Sequence, residues 1–152
     1  GVGPYYVAFA YESPLTLEVN SLIFENFHIS KNLDNKHVKQ LFVNMFEECM
    51  VRQLPLVIEN VRFANILGEE RLELFEEVLD QYKGIVPTVI TPIGLNKYRA
   101  LLETELTYSQ ILAMEPKLDE LAMSRSNLST FKTFIEEEIK TIPENKKQIP
   151  KI

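Results

Sequence analysis

A chain of 152 residues with 45% hydrophobic residues and a formal net charge of −6 has the size and composition of one globular domain. The acidic balance argues against nucleic-acid binding, which usually needs a basic face. A single cysteine excludes an internal disulfide, and no apolar run is long enough for a membrane span, so we expect a cytoplasmic protein. Five glycines against eight prolines disfavour a turn-rich β design, and we predict an all-α bundle of about six to eight helices.

The N-terminal part of the chain contains two apolar runs. Residues 1–13 are assigned to an N-terminal extension, with residues 5–11 as a candidate strand that would pair with residues 85–91. Ser13 and Pro14 provide an N-cap and a first-turn proline, and the apolar spacing that follows predicts a helix over 14–29. Residues 21–29 are also rich in β-forming side chains, so a strand remains an alternative there.

The clearest amphipathic signal lies between residues 34 and 50. Asp34 or Asn35 is expected to cap this helix, and one face carries Val38, Leu41, Phe42, Met45, Phe46, Cys49 and Met50. His37 and Cys49 are twelve residues apart, about 18 Å along a helix, which excludes a thiolate and imidazole pair. Cys49 is therefore expected to be a buried thiol with a raised pKa.

The next segment changes from apolar to acidic. Pro55 is predicted to begin a buried helix that ends near Gly68, and a surface helix follows up to Gly84. The surface helix carries a negative stripe that would attract a basic partner protein. Its candidate binding residues are Glu69, Glu73, Glu76, Glu77 and Asp80.

Three further helical regions are predicted up to residue 142. Thr91 and Pro92 begin one long helix or two short ones, with a break near Thr107. Pro116 is expected to open another helix, and Ser126 or Asn127 to cap the last. Residues 14–142 are thus predicted to form the helical domain, and residues 143–152 a tail or linker.

Two acid and histidine pairs are the only candidate metal ligands. On facing helices, Glu25 with His28 and Asp34 with His37 would resemble the spacing used in di-metal carboxylate sites. Both pairs fall at predicted helix ends, close to solvent, so we expect no metal and no cofactor. Haem is excluded because no histidine follows His37, and the usual nucleophile and phosphate-binding motifs are absent.

Three functions follow in order of preference. The first is a non-enzymatic regulatory or adaptor domain that binds another protein or self-associates as a homodimer. The second is a sensor that encloses a fatty acid or similar apolar molecule, with a globin-like fold without haem as one form; its candidate ligand-binding residues are His28, Lys31, His37, Phe42, Met45 and Phe46. The third is a di-metal protein built on the two acid and histidine pairs.

Overall fold

Strands and helices alternate along most of the chain, so the prediction of an all-α bundle is wrong. A computed structural model describes residues 6–59 and 63–142, and this part contains four strands and five helices. In chain order they are β1 (Tyr6–Pro14), β2 (Asn20–Ile29), α1 (Asn35–Arg52), β3 (Leu56–Ile58), α2 (Phe63–Gln81), β4 (Thr88–Ile90), α3 (Thr91–Leu102), α4 (Tyr108–Met123) and α5 (Leu128–Thr141). Among these helices none is both long and apolar enough to cross a membrane.

The four strands form one mixed sheet in the order β1-β2-β3-β4. The β1 and β2 strands are antiparallel, whereas β2, β3 and β4 run parallel to one another. Successive residues of β2 and β3 enter different cores: Leu22 and Leu56 pack beneath α1 and α2, while Ile23 and Val57 pack beneath α3, α4 and α5. The sheet is therefore a central layer between two groups of helices.

The predicted helix over 14–29 is wrong, because Pro14 ends β1 and residues 20–29 form β2. Leu22 and Ile23 are both buried since β2 is covered on both faces, and such a strand has no clean polar alternation to reveal it. The chain reverses direction between the strands, where the Thr16 hydroxyl accepts hydrogen bonds from the backbone N–H groups of Glu18 and Val19. Residues 6–13, assigned to an extension, belong to the sheet.

The predicted buried helix from Pro55 is also wrong. Residues 56–58 form β3, a central strand buried on both faces, and α2 begins only at Phe63. The predicted stop at Gly68 corresponds to a kink inside α2, where this glycine has a φ of 81°. Residues 88–90 do form a strand, but β4 lies at the edge of the sheet opposite β1, so the expected pairing of these two segments is wrong.

Three helix starts coincide with positions that the sequence offered as a cap or a break. Asp34 caps α1 by accepting from the His37 backbone N–H, and the buried face of α1 packs Phe42 edge-on against Phe75 with 5.3 Å between ring centres. Thr107 and Gln110 form a reciprocal capping box that separates α3 from α4. Asn127 caps α5 as expected. Pro116, by contrast, lies inside α4 rather than at a helix start, and residues 143–152 lie outside the described residues.

Candidate functional site

Lys97 on α3 is the most unusual charged residue in the described part of the chain, because its side chain is only 2% exposed. Its Nζ atom donates hydrogen bonds to the Thr88 carbonyl oxygen and to Asp119 Oδ1, both at 2.8 Å. The same nitrogen forms an ion pair with Glu115 Oε2 at 2.8 Å, but the angles of this contact are not those of a hydrogen bond. The other Glu115 oxygen, Oε1, accepts from the Thr88 backbone N–H at 2.9 Å.

The charges in this group stabilise each other. Burial is the largest single effect on the pKa of Lys97 and would lower it, but the Glu115 and Asp119 carboxylates together outweigh burial and hold this pKa above its ordinary value. Burial raises the pKa of Glu115, and the ammonium group of Lys97 opposes that rise. An ammonium held in its charged form cannot act as a nucleophile, so the arrangement is suited to structure rather than to amine chemistry.

The structural role of this group follows from the position of Thr88 at the outer edge of the sheet. The backbone N–H of Leu56 donates to the Pro87 carbonyl, so Pro87 faces β3 and the backbone groups of Thr88 point outward. Glu115 accepts from this outward N–H, and Lys97 donates to the outward carbonyl. The two side chains thus take the place of a fifth strand and close the β4 edge.

The predicted ligand-binding residues divide into exposed and buried groups. His28, Lys31 and His37 are exposed, and the His37 ring nitrogen Nδ1 lies 2.7 Å from Asp34 Oδ1 at the start of α1. Phe42, Met45 and Phe46 are buried in the core between α1, α2 and the sheet. None of these six residues lines either of the two clefts described below.

The metal hypothesis required two facing helices, each carrying one acid and one histidine as metal ligands. Glu25 and His28 lie in β2 instead, and only Asp34 and His37 retain helical proximity, with the Asp34 carboxylate already bonded to the helix start. Within residues 6–59 and 63–142, no group of three or more His, Cys, Asp or Glu side chains is placed to hold an ion.

The five predicted protein-binding carboxylates are all exposed on α2, as the amphipathic pattern indicated. Glu77 pairs with Lys39 at 3.3 Å and Asp80 with Lys83 at 3.1 Å, so part of this charge is compensated within the chain. The remaining candidates on this face are Glu69, Glu73 and Glu76. A solvated helix face of this kind does not by itself define a binding site.

Two clefts lie on the side of the sheet covered by α3, α4 and α5. The α3–α5 cleft has a volume of about 550 Å³ and carries three carboxylates, from Glu103, Glu105 and Glu136, beside Lys132. The α3–α4 cleft has a volume of about 580 Å³. Its wall includes three large hydrophobic side chains with high exposure: Ile93 at 60%, Leu95 at 44% and Met123 at 76%.

Neither the Lys97 group nor the α3–α4 cleft was predicted from the sequence, although the Lys97 group does leave a signal in it. Lys97 falls between Gly94 and Leu101 on the buried side of α3, and Glu115 falls between Ile111 and Leu118 on the buried side of α4. One cation and one anion inside the dry faces of neighbouring helices indicate a buried pair. The cleft has no such signature, because it forms only where the start of α3 meets the end of α4.

The fold is an α/β sandwich of one mixed sheet between two helical layers. Comparison with protein-family models, curated proteins and solved structures found no match. Support for a function therefore comes from the chain's own surfaces.

Proposed function

We propose that this chain is a non-enzymatic regulatory or adaptor domain, located in the cytoplasm, that binds a partner protein in the α3–α4 cleft. The bound segment would present an apolar side chain with a carboxylate next to it. The observation that carries this proposal is the clustering of Ile93, Leu95 and Met123, all exposed, around one concavity. Isolated exposed hydrophobic residues are normal on a protein surface, whereas a cluster around a cleft is typical of an interaction site.

The polar groups of the cleft support an acidic partner. Arg125 lines the cleft and forms no ion pair with other described residues, although the chain as a whole is acidic. The first turn of α3 also faces this region, and its N-cap residue, Ile90, provides no side-chain cap. The positive dipole end of a helix attracts a carboxylate, so Arg125 and the start of α3 favour the same charge.

The hydrogen bond from Asn96 Nδ2 to the Ser126 carbonyl, at 3.2 Å, joins the two sides of the cleft. This contact holds the end of α4 beside α3, and Phe131, which is buried, closes the base of the cleft from α5. A preformed cleft loses little conformational entropy on binding, which favours recognition of a short segment.

Selection from a random peptide library displayed on phage tests the proposal. We expect the unmodified chain to enrich peptides in which Leu, Phe or Met is next to Asp or Glu. The double variant Ile93→Asp/Met123→Asp should bind the selected peptides at least about 10-fold more weakly, because it places charge on both apolar walls. Arg125→Glu should shift the selected charge from acidic to basic.

Val51→Asp is the matched control, because Val51 is 78% exposed on α1 and lies outside the cleft. This variant should bind the selected peptides with unchanged affinity. Circular dichroism and urea unfolding establish that each variant is folded. Failure of the unmodified chain to enrich any peptide would contradict the proposal, as would equal binding by the Ile93→Asp/Met123→Asp variant.

A further inference from the structure

The two edges of the sheet differ in how their outward backbone groups are treated. The β4 edge is closed by Lys97 and Glu115, which bond to Thr88. The β1 edge is longer, and within residues 6–59 and 63–142 β1 pairs only with β2. An unprotected edge strand is a template for pairing with another strand.

The hydrogen-bonding pattern identifies which groups of β1 face outward. The backbone N–H of Leu22 donates to the Pro55 carbonyl, so Leu22 faces β3 and its neighbours Ser21 and Ile23 face β1. Their partners Ser13 and Tyr11 therefore bond to β2. The alternate residues Ala10 and Glu12 direct both backbone groups away from the sheet, and no other described residue bonds to these groups.

We propose that β1 pairs antiparallel with β1 of a second copy of this chain, with Tyr11 on the two-fold axis, so that two four-stranded sheets join into one. Ala10 of each copy then exchanges both backbone hydrogen bonds with Glu12 of the other. The ladder stops at Pro14, the next outward position, because proline has no N–H to donate. A second copy is the fitting occupant because this short stretch is complementary to itself.

Side-chain chemistry favours this register over the one centred on Glu12. Glu12 pairs with Arg52 of its own chain, and an axis at Glu12 would force these two ion pairs, with their like-charged carboxylates, directly opposite each other, which is unfavourable in a sheet. An axis at Tyr11 instead places each Glu12 opposite an alanine and brings the two tyrosines together. Tyr11 is 42% exposed, so its ring is accessible to such a partner, and cross-strand aromatic pairs stabilise antiparallel strands.

Light scattering on the purified chain and disulfide trapping test this dimer. We expect a mass about twice the chain mass of 17.6 kDa. Across the axis the two Tyr11 Cα atoms would be about 4.5 Å apart, a separation that a disulfide can bridge. Tyr11→Cys should therefore form a covalent dimer in oxidised glutathione. The native Cys49 does not interfere, since it is fully buried.

Glu12→Cys is the register control. It lies on the same exposed strand, but the two copies of residue 12 would be diagonal neighbours about 7–8 Å apart, too far for a disulfide. Ala10→Pro removes one outward N–H per copy and should weaken the dimer about 10- to 100-fold, while the bonds from β1 to β2 remain. A monomeric unmodified chain, or stronger trapping of Glu12→Cys than of Tyr11→Cys, would overturn the proposal.

Discussion

Replacement of Lys97 by methionine tests the role of the buried charge group most directly. The Lys97 side chain packs beside Gly94. Methionine keeps most of its aliphatic volume there but removes the ammonium group. Glu115, which is 8% exposed, would then be a buried carboxylate without a cation. Removal of one partner from a buried ion pair costs about 3–5 kcal/mol, and we expect Lys97→Met to lower the free energy of unfolding by that amount near neutral pH.

The pH dependence of this loss has a definite sign. Without Lys97, the folded-state pKa of Glu115 should rise further, because burial already raises it and the opposing cation is gone. When a carboxyl group has a higher pKa in the folded state than in the unfolded state, its ionisation lowers the free energy of unfolding, and this penalty disappears once the group is protonated. The difference between the unmodified chain and Lys97→Met should therefore shrink as the pH falls toward the unfolded-state value of glutamate.

Two double variants separate an ordinary buried ion pair from a pair that closes a sheet edge. Lys97→Met/Glu115→Gln keeps an oxygen that accepts from the Thr88 N–H, whereas Lys97→Met/Glu115→Leu leaves both outward groups of Thr88 unsatisfied. Each unsatisfied buried group costs about 1–3 kcal/mol, so the glutamine double variant should be the more stable of the two. Asp119 is 46% exposed, so Asp119→Asn should cost less than about 1 kcal/mol.

Urea unfolding followed by circular dichroism measures all of these free energies, with equal m-values as the check that the comparison is valid. For an isolated buried ion pair, apolar replacement of both partners restores or improves stability. Greater stability of the leucine double variant than of the glutamine double variant would therefore refute the edge-closing role of this pair. So would a cost below about 1 kcal/mol for Lys97→Met alone.

Other predictions concern the thiol and the helix caps. Burial raises the pKa of Cys49 from 9.0 to about 12, so near pH 8 its thiolate fraction should be about 1000-fold below that of a free thiol with the ordinary value; rapid alkylation of the native protein by iodoacetamide would contradict this. Because burial penalises the thiolate only in the folded state, the free energy of unfolding should fall, by up to about 4 kcal/mol, as the pH rises from 9 to 12. Urea unfolding across that range should show a shallower pH slope for Cys49→Ala than for the unmodified chain. Thr107→Ala removes the α4 cap and should cost about 1 kcal/mol in urea unfolding, and Thr107→Ser, which keeps a hydroxyl, should cost less; equal losses would argue against the cap.

The helices of this protein were partly predictable because their signals are local. Asp34, Thr107 and Asn127 each mark a helix start through a side chain that bonds to the next turn, and the stripe through Phe42 and Cys49 identifies the buried face of α1. Boundary errors arose where two local rules conflict. Proline is a common first-turn residue, yet Pro116 lies inside α4, because the cap at Thr107, nine residues earlier, had already begun the helix.

The sheet was not predictable in the same way. A parallel central strand such as β3 is only three residues long and buried on both faces, so it has no alternation, and its partners are distant in the chain. The same limit applies to function. The sequence places Lys97 and Glu115 on separate helices, and Ile93 and Met123 about thirty residues apart.

The sequence by itself determined the acidic charge, the caps of α1 and α5 to within one residue, and the buried position of Cys49, because each depends on residues within a few turns of one another. Only the tertiary structure decided that apolar runs become strands, that Lys97 and Glu115 close the β4 edge, and that β1 pairs only with β2 among the described residues. Those properties depend on which distant backbone groups and side chains meet across the sheet, and local spacing carries no record of that pairing.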